Sequence, residues 1–266
     1  MGFPSTFSQK ILYLFIQWSI LFNDKVLSSM TSLTLHDLTD VLKAEDEKYA
    51  DALRIAGEAF KEVENLFNSP NYENRADWKK DESNDEGDVV YAHRHRKPKT
   101  VTITTTLDTT PSTAMRETWD NFEKLPEWNG NINFASTIAK PTENFDVITY
   151  GNNDVLIVSG RDFVSARVYR QISDGFLMAS RSVVLPQYPE VDGKVRAELV
   201  LAGARFRHHP EDPTKTICDV IMQADLKGFL PKFLVNQVIG KIMLMDTVTN
   251  REHFAEMSKK QGEDAQ

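Results

Sequence analysis

The stretch Asp225-Leu-Lys-Gly-Phe-Leu-Pro-Lys-Phe-Leu-Val-Asn-Gln-Val-Ile-Gly-Lys-Ile-Met-Leu-Met-Asp246 decides how this chain folds. A strand is expected to end at Ala224, because Gly228 permits a turn and Pro231 suits the first turn of a helix. The helix that follows is apolar on most of its sides, which is more than one core-facing stripe requires. It therefore predicts a closing helix that contacts a second apolar partner, which is a protein, a membrane or a bound lipid. A central core helix is the simpler alternative.

Length and composition narrow the class of protein. The chain has 266 residues, of which 41% are hydrophobic, enough for one large domain or two small ones with a sizeable core. Its net charge of −8 argues against general binding to a nucleic-acid backbone. The single cysteine, Cys218, excludes an intrachain disulfide and lies in an apolar strand pattern typical of an inert core thiol.

Residues 1–30 leave several interpretations open. The apolar run Ile11–Phe22 is shorter than the about 20 residues that span a bilayer, and it resembles the apolar region of a secretory signal. A mitochondrial presequence would carry arginines, which this segment lacks. Gly2 matches the bare myristoylation pattern poorly, and Met30 is an alternative start. Among these interpretations, association of the segment with a membrane is favoured.

Two further amphipathic helices are predicted. In residues 34–67, apolar side chains recur at alternating steps of four and three from Tyr49 to Phe67, which indicates a long surface helix packed on the core. The second helix is predicted over Pro111–Leu125, with Trp119 on its apolar face.

Residues 71–87 are polar and acidic around Trp78 and predict a solvated loop. Elsewhere, short strand patterns alternate with turn residues. The predicted strands are Asp88–Arg96, Thr100–Leu107, Asp146–Tyr150, Asp162–Gln171, Phe176–Val184, Val195–Ala202 and Thr216–Ala224. The sum is an α+β fold in which a curved antiparallel sheet is closed by the C-terminal helix.

One charge lies in an apolar strand. Because side chains alternate along a strand, Phe163, Ser165, Arg167 and Tyr169 share one face. Both faces of this strand are largely apolar, so Arg167 is expected to have a carboxylate or hydroxyl partner. A strand-end arginine that reaches water is the simpler interpretation; the functional one is a polar anchor in an apolar cavity.

The sequence lacks the common catalytic motifs. The sequence contains no Gly-x-Ser-x-Gly, no phosphate-binding glycine loop and no dinucleotide fingerprint. The pairs His93/His95 and His208/His209 lack the spacing of a metal site and are interpreted as surface histidines. We therefore predict no catalytic residues, no metal and no cofactor.

Several motifs resemble the START lipid-transfer domain, and within that family the branch of the steroidogenic acute regulatory protein. They are Trp78-Lys-Lys-Asp-Glu, Leu125-Pro-Glu-Trp-Asn129, Arg161-Asp-Phe-Val-Ser-Ala-Arg167, Lys194-Val-Arg-Ala-Glu198 and Asp225-Leu-Lys-Gly-Phe-Leu-Pro-Lys232. The resemblance covers residues 46–258, which leaves an N-terminal extension at 1–45 and a polar tail at 259–266.

The resemblance implies a helix-grip fold with a lipid tunnel that holds one sterol, in this branch cholesterol. The implied ligand-binding residues are Arg167, Phe163, Ser165, Tyr169, Trp119, Leu199, Phe233, Val238 and Ile242. The implied gate or hinge is Gly228, Phe229, Leu230 and Pro231. In the family the buried arginine pairs with an acid, which in this chain would fall after Tyr150, where Gly151-Asn152-Asn153 stands. Asp154, or an asparagine with a water, would then replace it.

The expected function is that of a non-catalytic carrier that moves a sterol between membranes. It would act as a monomer in transient contact with a membrane, at the cytoplasmic face of an organelle, mitochondrial or late endosomal, while residues 1–30 leave secretion or anchoring open. The alternatives are a carrier or sensor of a phospholipid or sphingolipid, a cyclase or hydrolase that uses a similar cavity, and an interaction module whose last helix binds a partner.

Overall fold

A computed structural model describes residues 31–154 and 158–264 of the chain. Its strands are β1 Ser32–Leu35, β2 Leu38–Val41, β3 Trp78–Ser83, β4 Val89–His93, β5 Thr100–Leu107, β6 Ile132–Ala139, β7 Phe145–Asn152, β8 Arg161–Ile172, β9 Gly175–Ser182, β10 Val195–Arg196, β11 Glu198–His208 and β12 Thr216–Asp225. Its helices are α1 Ala50–Phe67, α2 Pro70–Glu73, α3 Pro111–Asp120, α4 Leu125–Trp128 and α5 Lys232–Asp264, with 3₁₀ turns at Ala44–Tyr49 and Phe122–Lys124.

Ten strands form one sheet in the order β3-β4-β5-β12-β11-β9-β8-β7-β6. Every neighbouring pair in this order is antiparallel, and the short β10 adds to β8 in parallel. The predicted α+β class with a large antiparallel sheet is confirmed. The segment predicted as one strand, Val195–Ala202, is divided between β10 and the longer β11.

Helix α1 covers one face of the sheet. Leu53, Phe60, Val63 and Phe67 are buried on this helix, as the step of four and three residues predicts. They share a core with the inward residues of β8, which are Val164, Ala166 and Val168.

The prediction of a helix from residue 34 was wrong for its first part. Residues 32–41 form the hairpin β1–β2, in which His36 turns the chain at φ 53°. Leu33 and Leu35 alternate with the polar residues Ser32 and Thr34, so the local period is that of a strand. Arg170 fastens the hairpin to the sheet, because it donates hydrogen bonds to the Asp40 carboxylate and to the carbonyl of Leu35 (3.2 Å). Part of the expected N-terminal extension thus packs onto the domain.

Helix α5 covers the other face. Val238, Ile239 and Met243 share an apolar cluster with residues of β4, β5 and β8, and Phe254 lies in the cluster near α3. The helix runs to Asp264, through most of the segment expected to be a polar tail. The expectation that the final helix closes the sheet is confirmed.

Residues 78–83, expected to lie in a solvated loop, form the edge strand β3. Trp78 is only 4% exposed and packs edge-to-face on Tyr72 and His93. Lys79 and Lys80 face solvent, and charges of this kind protect an exposed sheet edge from pairing with other chains. The high charge of the segment suggested a loop, although the segment forms a strand with one buried side chain, that of Trp78.

The second predicted helix is shorter than expected. Helix α3 ends at Asp120, and a 3₁₀ turn and α4 follow. Its start is capped by Thr110, whose side chain accepts a hydrogen bond from the backbone N–H of Thr113. The interpretations of residues 1–30 lie outside the described residues. Among the helices that the structure describes, none combines the length and hydrophobicity needed to cross a bilayer.

Candidate functional site

A cavity of about 270 Å³ lies between α5 and the sheet. Ligand pockets for small molecules typically measure about 300–1,000 Å³, so this space lies just below that range. Its apolar lining is contributed mainly by β9, β11, β12 and α5. The lining consists of Thr105, Leu107, Thr118, Tyr150, Met178, Ala179, Ser180, Leu199, Ala202, Gly203, Ala204, Phe206, Cys218, Val220, Ile221, Met222, Met243, Asp246, Thr247, Asn250 and Phe254.

Asp246 is the one carboxylate among these lining residues. Its Oδ1 accepts hydrogen bonds from the side-chain amides of Asn131 (2.9 Å) and Asn129 (3.3 Å). No described group donates to its Oδ2. Burial raises the pKa of the Asp246 carboxyl, although the two amide donors act in the opposite direction. A carboxyl group with one free oxygen thus faces an apolar space.

Two other polar groups in this region have hydrogen-bonding capacity to spare. The hydroxyls of Ser180, which lines the cavity, and of Ser165 on the same side of the sheet are buried and have no partner among the described residues. By contrast, the hydroxyl of Thr247 donates to the carbonyl of Met243 (2.7 Å) and is already paired. The Ser180 hydroxyl itself is fully buried, so among these groups the free oxygen of Asp246 is the one best able to bind a ligand hydroxyl.

Arg167 is buried and has a carboxylate partner, as the sequence predicts for a charge in an apolar strand. It does not line the cavity. Its guanidinium forms two hydrogen bonds with Asp146, Nε to Oδ1 at 2.9 Å and Nη2 to Oδ2 at 2.6 Å. It also donates to the carbonyls of Thr118 (3.3 Å) and Trp119 (3.4 Å) at the end of α3, and it lies over the ring of Phe122. These contacts occupy the guanidinium, so it anchors α3 to the sheet.

The acid that pairs with Arg167 is Asp146, which comes before Tyr150 and not after it. The two residues stand opposite each other in the β7–β8 ladder. Asp154 instead accepts a hydrogen bond from the backbone N–H of Gly160 (2.6 Å). The two strands were predicted from the sequence, but the register between them, which would have identified Asp146, was not.

The other predicted ligand-binding residues fall into separate groups. Leu199 lines the cavity. Phe163, Val238 and Ile242 lie in the apolar cluster beside it, where Phe163 stacks on the lining residue Tyr150 with ring centroids 4.9 Å apart. Trp119 and Tyr169 pack edge-to-face in the cluster near α3. The side chain of Phe233 lies outside the described residues.

Sequence reasoning missed Asp246, Ser180 and Asn250 as lining residues. A signal was present for Asp246, because it is an acid at the end of the apolar run that opens α5. Nothing local marks Ser180, which lies at the cavity because β9 is in the middle of the sheet.

The predicted hinge residues connect β12 to α5. Lys227 and Gly228 both have positive φ angles, 50° and 73°, so the chain reverses sharply here. Phe229 is fully exposed, Pro231 is exposed, and Leu230 packs partly against the apolar cluster.

Arg161 holds this connection in place. It is buried, and it donates to the carbonyls of Leu226 (3.0 Å), Lys227 (3.2 Å) and Ser159 (2.5 Å). Burial lowers its pKa from the usual value, and Asp154 acts in the opposite direction. A single fixed side chain thus binds two successive carbonyls next to the hinge.

A START domain family model matches residues 58–260, which is most of the chain. The chain belongs to the START domain family. This membership confirms the resemblance inferred from the motifs, and it supports lipid binding and transport for this START domain.

Curated relatives agree with the family. The chain is 60% identical over 238 residues to Steroidogenic acute regulatory-like protein 1 of Caenorhabditis elegans, covering 88% of this chain and 92% of the relative. It is 35% identical over 129 residues to the Steroidogenic acute regulatory protein of Xenopus laevis, covering 46% and 44% of the two chains.

Solved structures share the fold. Human StAR-related lipid transfer protein 5 superposes with a TM-score of 0.67 at 18% identity, covering 79% of this chain and 99% of that one. Human STARD10 superposes with a TM-score of 0.64 at 18% identity, covering 77% and 81%. The helix-grip architecture is therefore confirmed. Within residues 31–154 and 158–264, no group of three or more His, Cys, Asp or Glu side chains is placed to hold a metal ion.

Proposed function

We propose that this START domain carries one sterol-like lipid in the cavity beneath α5 and moves it between membranes without changing it chemically. The observation that carries the proposal is the composition of the lining. It is mostly apolar, and it presents one free oxygen of the Asp246 carboxyl as a hydrogen-bonding group. A sterol matches this pattern, because it has a rigid apolar body and one hydroxyl group.

The charges of the lining favour a neutral headgroup over a phosphate. None of the described lining residues is a lysine, arginine or histidine, and the one charged group is Asp246. A phospholipid phosphate in this space would be desolvated without a cation, which is costly. A hydroxyl can bond the Asp246 carboxyl whether that group is ionised or protonated.

The carrier speeds transfer because the bound lipid does not have to pass through water. A sterol exposes some two dozen carbons when it leaves a bilayer, at a cost on the order of 15–20 kcal/mol, from ~0.8 kcal/mol per buried CH₂. An apolar cavity offers nearly the environment of the membrane. The net energy of transfer is then small, and the remaining barrier is the opening of the protein.

Opening requires α5 to move away from the sheet. The cavity is small and α5 forms one of its walls, so a lipid enters when the helix swings on the connection at Gly228–Pro231. Phe229 is fully exposed on this connection and can enter a membrane interface, which would loosen the contacts of Arg161. We extend the proposal to a monomer in transient contact with the cytoplasmic face of an organelle membrane, mitochondrial or late endosomal.

The experiment is a binding titration with a fluorescent sterol, combined with mass spectrometry of lipid that co-purifies with the protein. Asp246→Ala removes the carboxyl, and we expect sterol affinity to fall about 10- to 100-fold, since a hydrogen bond to a charged group contributes roughly 1.5–3 kcal/mol. Met245→Ala, on the exposed side of the same helix turn, is the control and should bind normally.

Three results would overturn the proposal. One is co-purification of a phospholipid or sphingolipid together with no sterol binding. Another is conversion of the bound molecule to a product, which would indicate a cavity enzyme. The third is a sterol affinity that Asp246→Ala leaves unchanged.

A further inference from the structure

A second cavity, of about 620 Å³, lies beside the hinge and shares no lining residue with the first cavity. Its walls are β3, β4, the loop after β4 and the connection between β12 and α5. We call it the basic pocket; its charged lining residues are Lys79, Arg94, Arg96, Lys97, Lys99 and Lys227, with Asp81 and Asp225. Six cationic side chains against two carboxylates form a strong local excess on a chain whose net charge is −8.

Part of this charge is already paired. Lys99 binds Asp81 (2.6 Å), and Lys227 binds both Asp225 (2.8 Å) and Glu198 (2.7 Å). Arg96 forms an ion pair with Glu62, outside the pocket. The two carboxylates of the basic pocket are thus neutralised by its own lysines.

The remaining cations have no such partner. Lys79, Arg94 and Lys97 are exposed, and none of them has a carboxylate within salt-bridge distance among the described residues. They come from two separate segments, β3 and the loop after β4, so the tertiary structure brings them together. Three uncompensated cations around one concave space create a positive potential that attracts anions.

The loop that carries two of these cations is held in shape. The side-chain amide of Gln223 donates to the carbonyl of Pro98 (2.9 Å), and the backbone N–H of Arg94 donates to the carbonyl of Asp77 (2.8 Å). The ion pair of Arg96 with Glu62 fixes the loop on its other side. A preorganised cationic site loses little entropy on binding.

We propose that the basic pocket binds a multiply phosphorylated anion, the chemistry of a phosphorylated inositol headgroup. Arginine offers a planar fork for phosphate oxygens, and lysines offer mobile point charges. A single phosphate would leave much of the 620 Å³ empty, whereas an inositol ring with several phosphates can reach all three free cations. The same chemistry is found in a membrane lipid and in a soluble inositol phosphate.

The position of the basic pocket couples it to the hinge. Lys227, Gly228 and Leu230 line it, and these residues also belong to the connection that leads into α5. An anion that draws Lys227 away from Asp225 and Glu198 would pull on this connection. This coupling rests on the proposed lipid-carrier function, whereas the binding of the anion does not.

The test uses the full chain and vesicles of phosphatidylcholine that contain phosphatidylinositol 4,5-bisphosphate, in a co-sedimentation assay. The pocket variant is Lys79→Gln/Arg94→Gln/Lys97→Gln. The matched control, Lys43→Gln/Lys61→Gln/Arg116→Gln, removes the same charge from exposed positions outside the basic pocket. We expect about 100-fold weaker binding for the pocket variant, and nearly native binding for the control.

Two further arms identify the source of the anion. If soluble inositol trisphosphate competes with the vesicles, the pocket recognises the lipid headgroup. If it binds in calorimetry while the vesicles do not, the ligand is the soluble anion, and the anion site is still supported. Vesicles in which phosphatidylserine supplies the same total charge should bind weakly.

Three outcomes overturn the proposal: unchanged binding by the pocket variant, equal losses in the pocket and control variants, and equal binding to the phosphatidylserine vesicles. Binding of the fluorescent sterol in solution should be unchanged in the pocket variant, because none of its three residues lines the lipid cavity. Failure of the anion site is therefore distinguishable from failure of the carrier function.

Discussion

Asp146 and Arg167 stand opposite each other on β7 and β8 and form an ion pair whose side chains are only 3% and 4% exposed. The guanidinium also binds the last carbonyls of α3, where a cation is favoured by the helix dipole. The pair therefore links three elements, and it stabilises the wall beside the cavity without lining the cavity itself.

Breaking this pair should lower the free energy of unfolding while leaving the proposed lipid site intact. Asp146→Leu or Arg167→Leu each leaves an uncompensated buried charge, at a cost of about 3–5 kcal/mol in the free energy of unfolding. The measurement is urea denaturation. The double variant should recover most of the loss, and Arg54→Leu, which removes an exposed pair with Glu58, should cost less than about 1 kcal/mol. Losses that simply add in the double variant would contradict the proposed coupling.

Asp246 should make stability depend on pH. Its folded-state pKa is raised above the ordinary 3.8, so the carboxyl stabilises the fold most when it is protonated. This contribution is fully present below about pH 3.8 and is lost as the pH rises through the folded-state value. Asp246→Asn keeps an acceptor for Asn131 and removes the titration, so its stability relative to the native protein should increase as the pH rises.

The measurement is the free energy of unfolding of both proteins in urea at a series of pH values. Other carboxyls act in the opposite direction; hydrogen bonding to Arg251, for example, lowers the pKa of Asp88. These contributions are common to both proteins and cancel in the difference. Two parallel curves would show that Asp246 has no shifted pKa.

Motion of α5 should be testable with a disulfide. A Cβ atom on Gly240 would lie 3.3 Å from Cγ of Asp81 on β3, so side chains at these two positions are in direct contact and close enough for a disulfide to link them. Asp81→Cys/Gly240→Cys should therefore tether the helix to the edge of the sheet. We expect oxidised protein to transfer sterol between vesicles at least about tenfold more slowly, because lid opening then limits transfer.

The reduced form of the same variant is the control, since it carries both substitutions without the tether. The native Cys218 is buried and burial raises its pKa, so it should not compete for the new thiols. Equal transfer rates in the oxidised and reduced forms would reject a gate formed by α5.

Arg161 should control local opening at the hinge. Arg161→Leu leaves the carbonyls of Leu226 and Lys227 without their buried donor. We expect amide hydrogen exchange to accelerate at least about tenfold in residues 226–240, since each lost hydrogen bond contributes roughly 1 kcal/mol or more. Arg207→Leu, at an ion pair on β11 away from the hinge, is the control. Faster exchange across the whole sheet would instead indicate a global effect.

Several features could be predicted from local patterns in the amino-acid sequence. These are the apolar repeat of α1, the strand Thr100–Leu107 and the excess apolar surface of α5. They were predictable because the period of side chains along a helix or strand is a property of the backbone itself. The sequence also predicted that Arg167 has a partner, because burying an unpaired charge costs free energy. The motifs were sufficient to identify the family.

The features that required the tertiary structure all depend on segments that are distant in sequence. Asp146 meets Arg167 through strand register, and Asp246 reaches the cavity because α5 folds back over the sheet. The basic pocket joins β3 to residues nearly 150 positions later. A periodic pattern shows which face of an element is buried, but not what it meets. That is decided by register and packing, in which many weak contacts between remote segments are satisfied together.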